Sequence, residues 1–353
     1  MDLSERKNAF VKLGEKLKEL IQCVNTAGKE NTGFKRKLEM ASQQNPWFTE
    51  SHQLHAMGSL AKSLEKEKID KWLDTYNIAF THSRTERKIA VVLAGNVPAV
   101  GFHDFMCVLV SGHAFLGKLS SQDKVLLPMI AEILTEIEPR FRSKITFTEE
   151  RLKNFDAVIA TGSNNTARYF EYYFGKYPNI IRKNRSGIAI LDGKESKEQL
   201  KALGKDVFLY FGLGCRNVSK LLVPAGYQFD EMLEAFREFS HAGEHHKYMN
   251  NYDYFKSIYL VNKEVFYDNG FLLIKHDQRI SSPVSVLFFE NYTQIGEARD
   301  YLKQHAEKIQ CIVGDKKHRE EINAELLAFG EGQSPELWDY ADNVDTLRFL
   351  LKL

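Results

Sequence analysis

The reactive nucleophiles that stand out in this chain are four cysteines, Cys23, Cys107, Cys215 and Cys311. Most lone cysteines are small buried hydrophobes, but the setting of Cys215 favours chemistry. It lies in YFGLGCRNVSKLLVP, residues 210–224, on a turn containing Gly212 and Gly214, with Arg216 beside it. Small neighbours leave a sulfur reachable, and an adjacent guanidinium favours the nucleophilic thiolate. The same glycines could instead cradle a phosphate. A dinucleotide loop, however, needs a third glycine so that a helix can pack on its strand, and Asn217 holds that place. Covalent catalysis suits this turn better.

Three other stretches carry candidate groups. In VVLAGNVPAVGFHDF, a strand runs into Gly95-Asn96-Val97-Pro98, with Pro98 at the first turn of the next helix. Asn96 either caps that helix or donates its amide to a developing oxyanion. In AFLGKLSSQD, Lys118 ends a strand at the edge where open α/β sheets bind ligands, and Ser120 and Ser121 follow. In DAVIATGSNNTARYF, Thr161-Gly162-Ser163 joins a strand to a helix whose free amides and dipole attract pyrophosphate. HAGEHH places His241, Glu244 and His245 in the H-x-x-E-H zinc pattern. Gly243 falls where that helix should end, so the histidines are not expected to share the helical face that zinc requires, and no metal is expected. They read instead as loop residues beside the aromatic run YMNNYDYF.

The elements that must position these groups follow from periodicity. Residues 1–85 read as charged amphipathic helices, with Phe10, Leu13, Leu17 and Ile21 on one stripe and QQNPWFT as an interrupting turn. From Lys88 onward, short apolar runs (KIAVVLA, AFLGKL, DAVIA, GIAIL) alternate with helical segments, the rhythm of a parallel sheet with crossover helices. Ser120, Ser121 and Asp123 form the cluster that opens the helix after AFLGKL. A second such series carries SKLLVP, FLLIK, VSVLFFE and IQCIVG, with FDEMLEAFREFSHAG as one of its helices. An α/β fold with two parallel-sheet units follows. Its expected division is a helical region over 1–85, a nucleotide-binding domain over 86–195, a cysteine-bearing catalytic domain over 196–325, and a tail over 326–353 that packs back on the body.

Bulk properties narrow the partners. The 353 residues include 48 Lys plus Arg against 47 Asp plus Glu, so no net field draws the chain to nucleic acid or an anionic membrane. No apolar run approaches the ~20 residues of a membrane span, and the charged start lacks the apolar core of a signal peptide. Scattered cysteines without a paired spacing point to reducing cytoplasm, where the sequons at Asn164, Asn217 and Asn291 are chance matches.

Taken in order, GNVP, the lysine after the next strand, TGS and the glycine-flanked cysteine resemble the aldehyde dehydrogenase superfamily. The likeness is greatest to its acyl-CoA reductase branch, the bacterial luminescence-type fatty acid reductases, and runs from about Lys88 to the end. NPWFT, HHKYMNNYDYFKSIYL and SPELWDYADNVDTLRFL resemble that branch further. The resemblance implies an aldehyde dehydrogenase-like fold with Asn96 at the oxyanion hole, Lys118 at the adenosine ribose, Thr161, Gly162 and Ser163 at the pyrophosphate, and Cys215 as nucleophile. Hydrolytic relatives carry a water-activating glutamate where this chain reads IIRKNRSGIAIL, without a carboxylate. An acyl-enzyme would then survive until something other than water attacks it.

Many NAD-using relatives also end the lysine motif in glutamate, whereas Ser120 and Ser121 follow here, which favours NADPH. The expected activity is NADPH-dependent reduction of a fatty acyl thioester, on CoA or an acyl carrier, to the aldehyde through an acyl-cysteine. His245 or His246 is the candidate general acid. A homo-oligomer or an aldehyde-consuming enzyme is left open as a further partner. The alternatives are the same scaffold run as a CoA-acylating aldehyde oxidation, or a nucleotide-independent Cys/His thioesterase or acyltransferase.

Overall fold

The computed structural model describes residues 1–25, 32–76, 80 and 85–353. They form two units, Met1–Lys183 together with Glu336–Leu353, and Asn184–Pro335.

The first unit is built on five parallel strands, β1 (Lys88–Val92), β2 (Ala114–Lys118), β3 (Ile145–Thr148), β4 (Ala157–Thr161) and β5 (Asn179–Arg182), in the order β3-β2-β1-β4-β5. Side chains alternate across a strand, so β1 buries Ile89 and Val91 on one face and Ala90 on the other. Burial on both faces is why these strands read as unbroken apolar runs. The short strands β3 and β5 carry polar residues and lie at the two sheet edges, and they are elements that the apolar pattern does not disclose.

Helices α1 (Leu3–Asn25), α2 (Thr32–Gln44), α3 (Glu50–Ser63) and α4 (Lys66–Asp74) precede the sheet, and α5 (Phe102–Val110), α6 (Leu126–Ile137) and α7 (Asn164–Phe174) lie between its strands. The stripe of α1 is buried at Phe10, Leu13 and Leu17 and half-buried at Ile21. Phe10 meets Phe102, Phe105 and Phe141 edge-on, with ring centroids 6.4, 6.5 and 6.0 Å apart. Each such aromatic contributes about 1.5 to 3 kcal/mol by burial, so the helical region and the sheet share one core. Buried Gln53 closes the QQNPWFT turn, its amide donating to the carbonyls of Leu38 at 3.0 Å and Phe48 at 2.8 Å.

Residues 336–353 complete this unit. Leu347, Leu350 and Leu351 of the terminal helix Thr346–Leu351 are buried in the same core. Trp72 Nε1 donates to Tyr340 Oη at 2.7 Å, and His103 donates from Nε2 to the Leu337 carbonyl at 2.9 Å. Burial holds the His103 imidazole below its ordinary value, which suits the neutral ring. The Arg182 guanidinium, at the end of β5, donates to both Asp104 carboxylate oxygens at 2.6 and 2.9 Å and to Thr346 Oγ1 at 2.7 Å. One buried ion pair thus ties β5, α5 and the terminal helix, and removing either charge would leave the other uncompensated.

The second unit holds β6 (Ser186–Ile190), β7 (Val218–Pro224), β8 (Phe266–Asp268), β9 (Leu273–His276), β10 (Val286–Tyr292) and β11 (Ile309–Gly314), in the order β11-β6-β7-β10-β9-β8. All pairs are parallel except the edge pair β8–β9. Although GIAIL continues the rhythm of the preceding series, this strand, β6, pairs with β7 and β11 in the second sheet. Its longer helices are α8 (Lys197–Phe208), opened by a Ser196/Gln199 capping box, α9 (Asp230–Phe236), α10 (His246–Val261) and α11 (Ile295–Gln304), and a single turn, Arg319–Ile322, follows β11. The segment expected as one helix over 229–243 tightens after Phe236 into a 3-10 helix, Arg237–Glu244.

Leu347→Ala should destabilise the first unit by about 2 to 5 kcal/mol, the usual loss for emptying a fully buried leucine site. The three tryptophans, Trp47, Trp72 and Trp338, all lie in this unit, so their fluorescence during urea unfolding reports it. An unchanged midpoint would mean that the tail is not part of its cooperative core.

Candidate active site

At the carboxyl edge of the first sheet, β1 stands between β2 and β4, and Val92 is in register with both Lys118 and Ala160. The loop bearing Asn96 leaves β1, Lys118 ends β2 with Ser120 and Ser121 in the following turn, and Thr161 ends β4 ahead of Gly162 and Ser163. These seven residues therefore gather along one edge. Strand order reverses between β1 and β4, which is where open α/β sheets form a ligand crevice.

Buried polar side chains hold these loops. Gly95 is required by close approach, since a Cβ there would lie 2.5 Å from Ser120 Oγ. Asn45, in the QQNPWFT turn, donates its amide to the carbonyls of Gln122 at 3.2 Å and Gly95 at 3.5 Å. Asp123 accepts from the Ala99 N–H at 3.2 Å through Oδ2 and from the Val125 and Leu126 N–H groups at 3.2 and 3.0 Å through Oδ1. Within the Ser120–Asp123 cluster it is thus Asp123 that serves the start of α6. Burial pushes its carboxyl up, and the three amide donors oppose that shift. Ala99 is held in the left-handed region at φ 54°.

Lys118 donates from Nζ to the carbonyls of Glu149 at 3.1 Å and Glu150 at 3.0 Å, which places its ammonium at the end of β3. Ser163 caps α7, accepting from the Thr166 N–H at 3.2 Å, and the Gly162 N–H donates to the Arg182 carbonyl at 3.3 Å. The 11-residue α7 thus opens at the crevice with its first amides and positive dipole end.

In the second unit Cys215 is exposed. The Asn217 N–H donates to the Gly214 carbonyl at 3.0 Å, closing a turn with Cys215 and Arg216 at its tip. The buried Asn217 side chain does the rest. Its Oδ1 accepts from the Gly214 N–H at 2.8 Å, and its Nδ2 donates to the Asp206 and Leu209 carbonyls at 3.0 and 2.9 Å. The last carbonyls of α8 and the cysteine turn therefore share one amide. Between them Tyr210, Phe211 and Gly212 all adopt left-handed φ, 54°, 55° and 75°. That conformation is natural for glycine and costs roughly 1 to 2 kcal/mol for each of the two aromatic residues.

Beside Cys215, Arg216 donates from Nε to the Gly332 carbonyl at 2.6 Å, which anchors the guanidinium to the 330–332 segment. Buried Asp206 accepts from the Gly330 and Gly332 N–H groups at 2.6 and 2.9 Å, and burial pushes its carboxyl up to about 6.

The Phe211 ring lies 4.4 Å from the His245 imidazole, centroid to centroid. His245 caps α10, its Nδ1 accepting from the Tyr248 N–H at 3.4 Å, which leaves Nε2 to carry the proton of the neutral ring. His246 is the first residue of α10, so these histidines open a helix and do not lie in a loop. His241 and Glu244 belong to the 3-10 helix, whereas His245 is extended at φ −84°, ψ 114°, so the two histidines of the H-x-x-E-H pattern share no helical face. Among the described residues, no cluster of three or more His, Cys, Asp or Glu is placed to hold a metal ion.

Asn96 and Lys118 thus belong to the first unit and Cys215 and His245 to the second. Sequence reading did not single out Asn45, Asp206 or the side chain of Asn217 as supports. The available signals were faint: the proline turn NPWFT, and an asparagine where a glycine would serve a phosphate loop.

The architecture resembles that of aldehyde dehydrogenases of known structure. The structure aligns with 1-pyrroline-5-carboxylate dehydrogenase from Thermus thermophilus at a TM-score of 0.67 and 14% identity, covering 99% of this chain and 80% of that one. It aligns with an NAD-dependent benzaldehyde dehydrogenase from Corynebacterium glutamicum at 0.64 and 11%, covering 93% and 81%. An aldehyde dehydrogenase from Physcomitrella patens, in complex with the reaction product succinate, gives 0.64 and 13%, covering 93% and 77%. At these identities the likeness is one of fold. The family itself is shown by sequence: a family model described as acyl-CoA reductase (LuxC) matches residues 15–242, and the chain belongs to that family. No curated protein matches the chain in sequence.

Asn217→Ala should leave the Gly214 N–H and the α8 carbonyls without their partner. The expected cost is at least about 2 kcal/mol. It should also change the rate at which iodoacetamide alkylates Cys215 in the folded protein. An unaltered alkylation rate with full stability would show that the turn holds itself.

Proposed function

We propose that this acyl-CoA reductase family member reduces a fatty acyl thioester, carried by CoA or an acyl carrier, to the aldehyde, with NADPH as reductant and Cys215 as the covalent nucleophile. The observation that carries this reading is the exposed cysteine at the tip of a turn braced by Asn217. The donor set at the first sheet's edge suits an anionic dinucleotide. Lys118, the last residue of β2, presents an ammonium beside the end of β3, and the Thr161-Gly162-Ser163 turn opens an 11-residue helix at the strand-order reversal. Lys118 would hold the adenosine ribose, Ser120 and Ser121 its 2′-phosphate, and Thr161, Gly162 and Ser163 the pyrophosphate. When bound, the nicotinamide supplies the hydride that the acyl carbon requires.

The chain's own residues account for the other steps. The Cys215 thiolate attacks the thioester carbonyl, a new carbon–sulfur bond forms, and the carbon–sulfur bond to the carrier breaks as its thiolate departs. Thioester exchange is nearly balanced in energy, so little driving force is needed. Asn96 donates its side-chain amide to the oxyanion as it forms, first in acyl transfer and again in the thiohemiacetal that follows reduction. Collapse of that species breaks the bond to Cys215 and releases aldehyde and thiolate. His245 is the candidate for moving the accompanying proton through Nε2. No carboxylate stands in IIRKNRSGIAIL to activate water, which supports an acyl-enzyme that waits for reduction. The scattered cysteine spacing supports a reducing cytoplasm, and among the described residues no helix is long and apolar enough to cross a membrane. A reactive aldehyde product also favours a partner enzyme that consumes it.

Cys215→Ser should abolish thioester-linked labelling by radiolabelled acyl-CoA, and persistence of the label would remove Cys215 from the mechanism. Asn96→Ala should lower the rate of NADPH oxidation with acyl-CoA by ~10²- to 10³-fold while nucleotide affinity holds. An undiminished turnover number would make Asn96 a turn residue only.

A further inference from the structure

Lys124 lies six residues beyond Lys118, past the turn closed by the Ser120–Asp123 bridge. Its main-chain N–H donates to Gln44 Oε1 at 3.3 Å, so the helical region fixes its backbone. Its Nζ meets Glu149 Oε2 at 2.5 Å. Glu149 follows β3, and its carbonyl is one of the two that hold the Lys118 ammonium. Lys118, Lys124 and Glu149 therefore form one cluster at the carboxyl ends of β2 and β3. The Lys124 and Glu149 side chains are 36% and 60% exposed. An ion pair that open contributes roughly 0 to 1 kcal/mol to stability, so its charges remain available to a ligand and its removal should leave the fold intact.

In a nucleotide-binding sheet of this kind, the end of the second strand reads the adenosine ribose. A carboxylate there accepts from a 2′-hydroxyl, and a cation accommodates a 2′-phosphate. Both kinds of group are present here. Resting on the nucleotide reading above, we propose that Lys124, steered by Glu149, selects the 2′-phosphorylated nucleotide. Glu149 alone would serve a 2′-hydroxyl and repel a 2′-phosphate by like charge. Lys124 offsets that carboxylate and adds a donor to the phosphate, so the pair reverses the preference that Glu149 would impose. Ser120 and Ser121 supply neutral hydroxyls in the turn between Lys118 and Lys124, and exposed Glu150 and Arg151 follow Glu149 with opposite charges.

The test is titration of the full-length protein with NADPH and with NADH, reading the dissociation constant of each from nicotinamide fluorescence. Lys124→Ala should weaken NADPH by about tenfold and shift NADH by no more than about twofold, the size expected for one charge contact near a protein surface. Lys124→Arg should keep the preference, and Glu149→Gln should tighten NADPH several-fold. Parallel shifts for both nucleotides in Lys124→Ala, no shift for either, or a preference for NADH in the unaltered protein would each overturn the role of Lys124. The last outcome, with acyl thioester still reduced, leaves the reductase reading standing. Failure of the unaltered protein to bind either nucleotide would overturn the nicotinamide reading and this one with it.

Discussion

A strand's hydrogen-bond ladder stops at its carboxyl end, and the backbone that continues into the protein must find other partners or lose free energy. That requirement, and the same one at the end of helix α8, shapes the loops that bear Asn96, Lys118 and Cys215. Asn45 supplies donors to Gly95 and Gln122, Asp123 collects the amides of Ala99, Val125 and Leu126, and Asn217 joins the end of α8 to the cysteine turn. Asp206 does the same for Gly330 and Gly332. These side chains supply the backbone of the loops with partners that the strands and helices do not. The polar residues buried near the candidate site are therefore part of its scaffold.

The cysteine turn shows how strain and satisfaction are balanced. Two aromatic residues in left-handed conformation cost a few kcal/mol together. Asn217 offsets this by making a hydrogen bond through Oδ1 and more than one through Nδ2, from a fully buried position where each is protected from water. The reversal also turns Phe211 back onto His245 and Tyr248, so the start of α10 is held against the segment that leads to Cys215. Glycine at position 217 would leave the carbonyls at the end of α8 and the Gly214 N–H without these partners. Asparagine consumes those backbone groups and leaves the sulfur as the exposed feature of the turn.

The helical region reaches the candidate site through backbone contacts. Its core packing sets α1 against α5, and its QQNPWFT turn reaches the loop after β1 through Asn45 and the turn after β2 through Gln44 and Asn45. The chain leaves this unit after Lys183 and returns at Glu336, where Trp72, His103 and Arg182 receive the tail. Arg182 also accepts the Gly162 N–H on its carbonyl, so the residue that clamps the tail touches the turn read as the pyrophosphate site.

Strands buried on both faces are legible because nothing polar can interrupt them, and β1, β2 and β4 were read directly with the residues that end them, Lys118 and Thr161. Ser163 followed from its place at a helix start, where it caps α7. By contrast β3 and β5 are short and carry polar residues at sheet edges, where one side needs no partner strand and the apolar signal fades. Local hydrophobicity marks a strand but does not name its neighbour, which is why GIAIL gave no sign that it pairs with β7 and β11. The supporting roles of Asn45, Asp206 and Asn217 were hidden for a related reason. A polar residue becomes a bracket only when folding buries it beside unsatisfied backbone, and its partners, as distant as Gly332 from Asp206, meet only in three dimensions.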